Sequence, residues 1–176
     1  MSHDWIADIN FLDLLDAEDA RVAAAVKTRG CPDCGGRLDR ADYPRKPRGG
    51  DLAAAGEALD RRRSLCCARE GCRHRRTPPS LVFLGRRVYL AITVVVAAWR
   101  STATISPSRR TMGRWRAWFA ALRDTPWWTV QRGRLWPPVV PAELLPAAII
   151  DRLVAHQPLA DALLAALRIV TSWATG

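Results

Sequence analysis

No hydrophobic run in the 176 residues is long enough to cross a bilayer. The longest, Val88 to Trp99, has about twelve residues, where a spanning helix needs roughly twenty. No targeting segment is visible either, so the expected location is cytoplasmic, associated with the nucleoid. Lysine is nearly absent. Lys27 and Lys46 stand among 27 basic residues, so the positive charge is almost all guanidinium. An even cysteine count is missing too. Five cysteines and no secretory leader argue against a disulfide framework. No βαβ pattern surrounds Cys31, which argues against a thioredoxin-like redox pair.

What is present is a split cysteine cluster. It opens with Cys31-Pro-Asp-Cys34-Gly-Gly and closes with Cys66-Cys67-Ala-Arg-Glu-Gly-Cys72-Arg-His74. A C-x-x-C turn followed by glycines lets backbone amides approach the sulfurs, and two such turns face to face supply four ligands at about 2.3 Å from a zinc ion. Gly71 can take a positive φ just before the last ligand. The expected ligands of one structural Zn2+ are Cys31, Cys34, Cys67 and Cys72. Cys66 in place of Cys67 is the rival set, and His74 is a reserve ligand. Four thiolates leave no open coordination position, and no carboxylate is placed beside the cluster as a base, so a zinc enzyme is not expected.

Charge is unevenly spread. Arg29 to Arg116 holds 20 basic and 7 acidic residues, +13 in a chain of net charge +10. Six acids precede Lys27, and the last third is near balance. A basic middle between neutral or acidic ends points to a polyanion, most often nucleic acid. The competing reading is an arginine-rich solvated surface.

In chain order, residues 4–28 read as a helix with apolar positions 11, 14, 15, 22, 25 and 26, stopped by Gly30. Asp13, Asp16, Glu18 and Asp19 fall on its opposite face. Arg37 to Tyr43 reads as a short strand, Pro44 to Gly50 as a basic loop, and Asp51 to Arg63 as a short helix or flexible insert. Ser64 to Cys67 enters the second knuckle as a strand, and Arg73 to Thr77 leaves it. Val88 to Trp99 is an apolar helix, and a second helix starts at Ser106 or Ser108 and runs towards Leu122. On the latter, Met112, Trp115, Trp118, Phe119 and Leu122 share one face. Arg109, Arg110, Thr111, Arg114 and Arg116 cover much of the rest, the form of a recognition helix. Trp127, Trp128 and Trp136 anchor a connecting segment as packing residues. Pro141 to Ala155 and Leu159 to Trp173 read as closing helices joined around His156-Gln157-Pro158.

The expected fold is mainly α with a small β zinc ribbon. It divides into an N-terminal helical lead (1–30), the ribbon with its inserted loop (31–80), a helix-turn-helix-like region (81–124) and a C-terminal helical hairpin (125–176).

Two segments carry a resemblance. The knuckles, with the exit Arg73-His-Arg-Arg-Thr-Pro-Pro79, resemble the zinc ribbon of bacterial transposase-associated proteins of the insertion-sequence type. Ser108-Arg-Arg-Thr-Met-Gly-Arg-Trp115 resembles the second helix of the helix-turn-helix in transposases and resolvases. The resemblance spans residues 31 to 122 and implies DNA as a partner, with a transposase or other protein as a further one. Phosphates would meet Arg45, Lys46, Arg48, Arg73, Arg75 and Arg76, and a groove would receive Arg109, Arg110, Arg114 and Arg116. The chain departs from the family in two places. Arg100 to Pro107 is too short for the usual intervening helix. After residue 122 only Asp124, Glu143, Asp151 and Asp161 remain, without the strands that hold a two-metal strand-transfer site. No serine or tyrosine recombinase pattern stands in for them. The expectation is therefore a non-catalytic DNA-binding protein, or an adaptor that docks a nucleic-acid enzyme.

Overall fold

The computed structural model describes residues 5–49, 59–85, 87–100 and 107–173. Among these the chain is mainly helical, with two small antiparallel sheets. No helix among them is long and apolar enough to cross a membrane.

Helix α1 (Ile9–Arg29) begins where Asp8 accepts a hydrogen bond from the Phe11 amide (3.2 Å). It ends at Gly30, whose φ of 77° breaks the helix. Its buried face is Phe11, Leu12, Leu15 and Asp19. This corrects the expectation that Leu14 is core and Asp19 faces solvent: Leu14 is 43% exposed and Asp19 only 3%. The stripe 12, 15, 19 follows helical spacing, and the acid is tolerated there because it has donors. Ser80 Oγ and the Leu81 amide (2.5 Å) both bond to its carboxylate.

Strands β1 (Leu38–Arg40), β4 (Leu65–Cys67) and β5 (Arg75–Arg76) form a three-stranded sheet with β4 in the middle. Strands β2 (Tyr43–Pro44) and β3 (Arg61–Arg62) form a two-stranded one. The two ladders share a register: Leu38 lies opposite Cys67 and Tyr43 opposite Arg62. Between them Ala41 donates to Ser64 O (2.8 Å), while the Ser64 amide goes to the Asp42 carboxylate (2.9 Å). A side chain thus replaces one rung of a single long hairpin. Arg61–Arg62 is strand rather than the helix or flexible insert expected of this stretch, because that ladder continues through it. Residues 51–58 of the expected insert lie outside the described residues, as do 101–106.

The helical body is organised on α2 (Ala91–Trp99), in which every residue from Ala91 to Val96 is buried. Its β-branched run is a poor helix former by propensity, and apolar packing on all sides sustains it. Helices α3 (Arg109–Arg123), α5 (Ala147–Val154) and α6 (Leu159–Trp173) pack against it. The helix starts at Ala91 rather than Val88 because the preceding residues are extended. Arg48 donates to Val88 O (2.7 Å) and accepts from the Leu90 amide (3.0 Å), tying the ribbon's basic loop to the body.

Ser108, not Ser106, caps α3 by accepting from the Thr111 amide (3.2 Å). The expected connecting segment contains helix α4 (Pro126–Arg132), with Thr125 as its cap and proline at its start. Trp128 is buried in the core, whereas Trp136 is 75% exposed and anchors nothing within the described residues. The closing hairpin forms around residues 156–158, with α5 starting six residues later than Pro141.

Candidate metal centre

Each knuckle is built by local hydrogen bonding. In the first, Cys31 donates to Gly36 O (2.8 Å), and the Gly35 amide returns to Cys31 O (2.7 Å), with Gly35 at φ 68°. Gly36 is closely hemmed in: an added Cβ would lie 3.1 Å from Cys67 Sγ and 3.2 Å from Cys34 Sγ, so both sulfurs would have to give way by a few tenths of an ångström. The second knuckle is the β4–β5 turn. There the Arg69 amide donates to Cys67 Sγ (3.4 Å), and Gly71 and Arg73 take positive φ.

The fold brings Cys31, Cys34, Cys67 and Cys72 together with all four sulfurs within 4.8 Å of one another. Cys31 and Cys72 are 3.8 Å apart, Cys34 and Cys67 3.5 Å. Sulfurs placed tetrahedrally at about 2.3 Å from one ion would be about 3.8 Å apart, so the group could hold a metal ion with little movement. A four-sulfur donor set suits zinc or iron. Leu38, Leu65 and Val26 pack against the cysteines, of which Cys31 and Cys67 are buried and Cys34 and Cys72 half-buried.

The thiols hold their protons unequally. The Gly36 amide and the Cys67 thiol draw Cys34 down to about 7. At Cys67 the Arg69 amide favours the thiolate, but burial and the neighbouring Cys34 outweigh it and push the group up to about 12. A cation among the sulfurs would remove this competition, since bound thiols are deprotonated.

The rival ligands stand outside the cluster. Cys66 is the neighbour of Cys67 on β4, so its side chain points to the other face and reaches Arg73 O (3.4 Å). His74 Nδ1 lies 2.8 Å from Asp33 Oδ2, forming with Cys72 a second close group.

Asp33 corrects the expectation that no carboxylate adjoins the site. Its Oδ2 is 3.6 Å from Cys31 Sγ, and Arg76 donates to both its oxygens (2.6 Å each). The bonds from His74 and then Arg76 hold its carboxyl below the ordinary value. It pins the first knuckle to the exit of the second. Its place inside C-P-D-C is the sequence signal for that role, but its partners 41 and 43 residues away carry no such signal.

The basic residues divide. Arg45 turns inward, donating to Gly85 O (3.3 Å) and Arg87 O (3.0 Å), and Arg76 is held by Asp33. Lys46, Arg48, Arg73 and Arg75 are exposed on the ribbon, Arg75 lying over Tyr43. Arg109, Arg110, Arg114 and Arg116 are exposed along α3, opposite buried Trp115, Phe119 and Leu122. Thr111, expected on that outer face, is buried. The chain matches no protein-family model, no curated protein and no solved structure.

Proposed function

We propose that this chain is a zinc-stabilised, non-catalytic DNA-binding protein related to the transposases of mobile elements. The observation that carries the reading is the division of α3. Its apolar side is embedded in the core, and its four exposed arginines have no carboxylate partner among the described residues. Such a helix offers fixed, uncompensated positive charge to a groove. Zinc bound by Cys31, Cys34, Cys67 and Cys72 would be closed to substrate, which leaves it a structural role. The ribbon's Lys46, Arg48, Arg73 and Arg75 would add phosphate contacts.

The test is duplex binding at two salt concentrations before and after chelation, with Arg110→Ala and Arg114→Ala variants. Each substitution should weaken binding by about 1–3 kcal/mol if it removes a base contact. Unchanged binding in both variants would overturn the recognition-helix assignment.

A second reading has its own observation. Trp136, Val140 and Leu144 are 75%, 53% and 71% exposed within one short stretch, a surface suited to a protein partner. An adaptor of this kind would show little duplex affinity at physiological salt and a stable complex with a transposase or another nucleic-acid enzyme.

A further inference from the structure

We infer that the cleft between residues 87–89 and the first half of α3 is a subsite for one backbone phosphate of nucleic acid, gripped by Arg87 and Arg114. This rests on the DNA-binding reading and adds to it a residue, Arg87, that lies on neither the ribbon nor the recognition helix. The cleft has a volume of about 260 Å³ and is lined by Arg87, Val88, Tyr89, Thr111, Arg114 and Trp115.

Its walls are fixed. Tyr89 meets Trp115 edge-on at 5.0 Å, and the main chain of Arg48 braces residues 88–90 from the far side. Arg45 holds the turn itself by donating to Gly85 O and Arg87 O. The guanidinium of Arg87 lies over the Trp118 ring at 4.3 Å, which sets its plane.

Arg87 is half-buried and has no counter-charge. Among the described residues no carboxylate pairs with its guanidinium and no acceptor takes the guanidinium N–H groups, the main-chain N–H alone being used, to Leu84 O (3.2 Å). Burial alone pulls its pKa down, with no acid opposing the shift. Arg63, Arg76 and Arg152 each hold a carboxylate. A desolvated, unpaired guanidinium is unfavourable until an anion arrives, and a phosphate satisfies it with two parallel hydrogen bonds. Arg114, on the facing wall and equally unpaired, supplies the second charge.

The experiment uses the intact metal-loaded chain. The salt dependence of duplex binding is measured for the parent, Arg87→Gln and Arg87→Lys. In parallel, the Arg87 Nε–H resonance is followed during titration with pyrophosphate. The expected result is a log–log salt slope shallower by about 0.9 in Arg87→Gln, the value for one lost phosphate contact. Arg87→Lys should recover part of it, and pyrophosphate should shift the resonance. Thermal melts of each variant show whether loss of the Trp118 contact has unfolded the chain. Should Arg87→Gln melt early, Arg87→Lys and the resonance decide. A parent that binds duplex while Arg87→Gln keeps the full slope and the resonance stays still overturns the subsite and leaves the DNA reading intact. A resonance that moves in a parent without duplex affinity marks a site for free phosphate compounds, and overturns the nucleic-acid assignment. No response in either arm overturns both.

Discussion

The ribbon and the helical body hold themselves together by different means. The ribbon's buried cluster is Cys31, Leu38, Leu65 and Cys67, with Val26, Cys34 and Cys72 against it. Four of those seven side chains are thiols. The body instead buries a continuous core that takes in Ala91, Ile92, Val94, Val95 and Val96 of α2, Phe119 and Leu122 of α3, and Leu163, Leu167 and Val170 of α6. Hydrophobic burial suffices for the second and cannot suffice for the first. A module with so small an apolar interior gains most from a cross-link, and the four sulfurs lie where a metal ion could supply one. The two halves meet along α1, whose Phe11 and Leu15 belong to the body and whose Val26 belongs to the ribbon.

The sharpest way to break this comparison is to deny the four sulfurs the metal ion they could hold. Chelation, or Cys34→Ser, should abolish protection of the β1, β4 and β5 amides in hydrogen exchange while most far-UV ellipticity survives. Structural zinc contributes on the order of 10–16 kcal/mol in small modules, far more than the ribbon's leucines provide. Thiolate ligands also make metal affinity fall as pH falls. Collapse of the whole chain on chelation would show that the body leans on the ribbon.

The converse change is Phe119→Ala. Phe119 is 1% exposed, and its truncation should cost about 3–5 kcal/mol by denaturant titration while metal stoichiometry stays unchanged.

Asp19 sharpens the comparison at the seam. Burial raises its pKa above the ordinary 3.8, against the opposing bonds from Ser80 and Leu81. A carboxyl raised by folding adds stability that is full below about 3.8 and lost as pH climbs through the raised value. Asp19→Asn, which keeps an acceptor for the Leu81 amide, should lose less stability than the parent over that interval, measured as melting temperature against pH. Asp19→Ala, which strands both donors, should cost about 1–3 kcal/mol at any pH.

Periodicity made α1, α3 and α6 legible in the sequence, and cysteine spacing made the two knuckles legible. Apolar stripes and C-x-x-C turns are local patterns, and local patterns survive in a string of letters. The choice between Cys66 and Cys67 was not local. It depends on which way β4 pleats, and that follows from the pairing of Leu38 with Cys67 and of Cys66 with Arg75. Strand β3 was hidden, and β2 was caught only at Tyr43, because Tyr-Pro and Arg-Arg show no alternation of apolar and polar residues. Asp19 was misplaced for a related reason: an acid reads as solvent-facing unless its distant donors, here Ser80 and Leu81, are known. Helix α4 did leave a signal, the Thr125-Pro126 pair, that the neighbouring tryptophans obscured.

The pleat that sends Cys66 to the far side of β4 also gives the protein a built-in gauge. With a cation shielding the four clustered sulfurs, one thiol of the five remains open to a maleimide. A label fixed there sits next to Arg73 and Arg75, where a fluorophore would sense an approaching polyanion. Strip the cation, and the number of alkylated sites climbs from one to five, so a mass spectrum reads occupancy molecule by molecule.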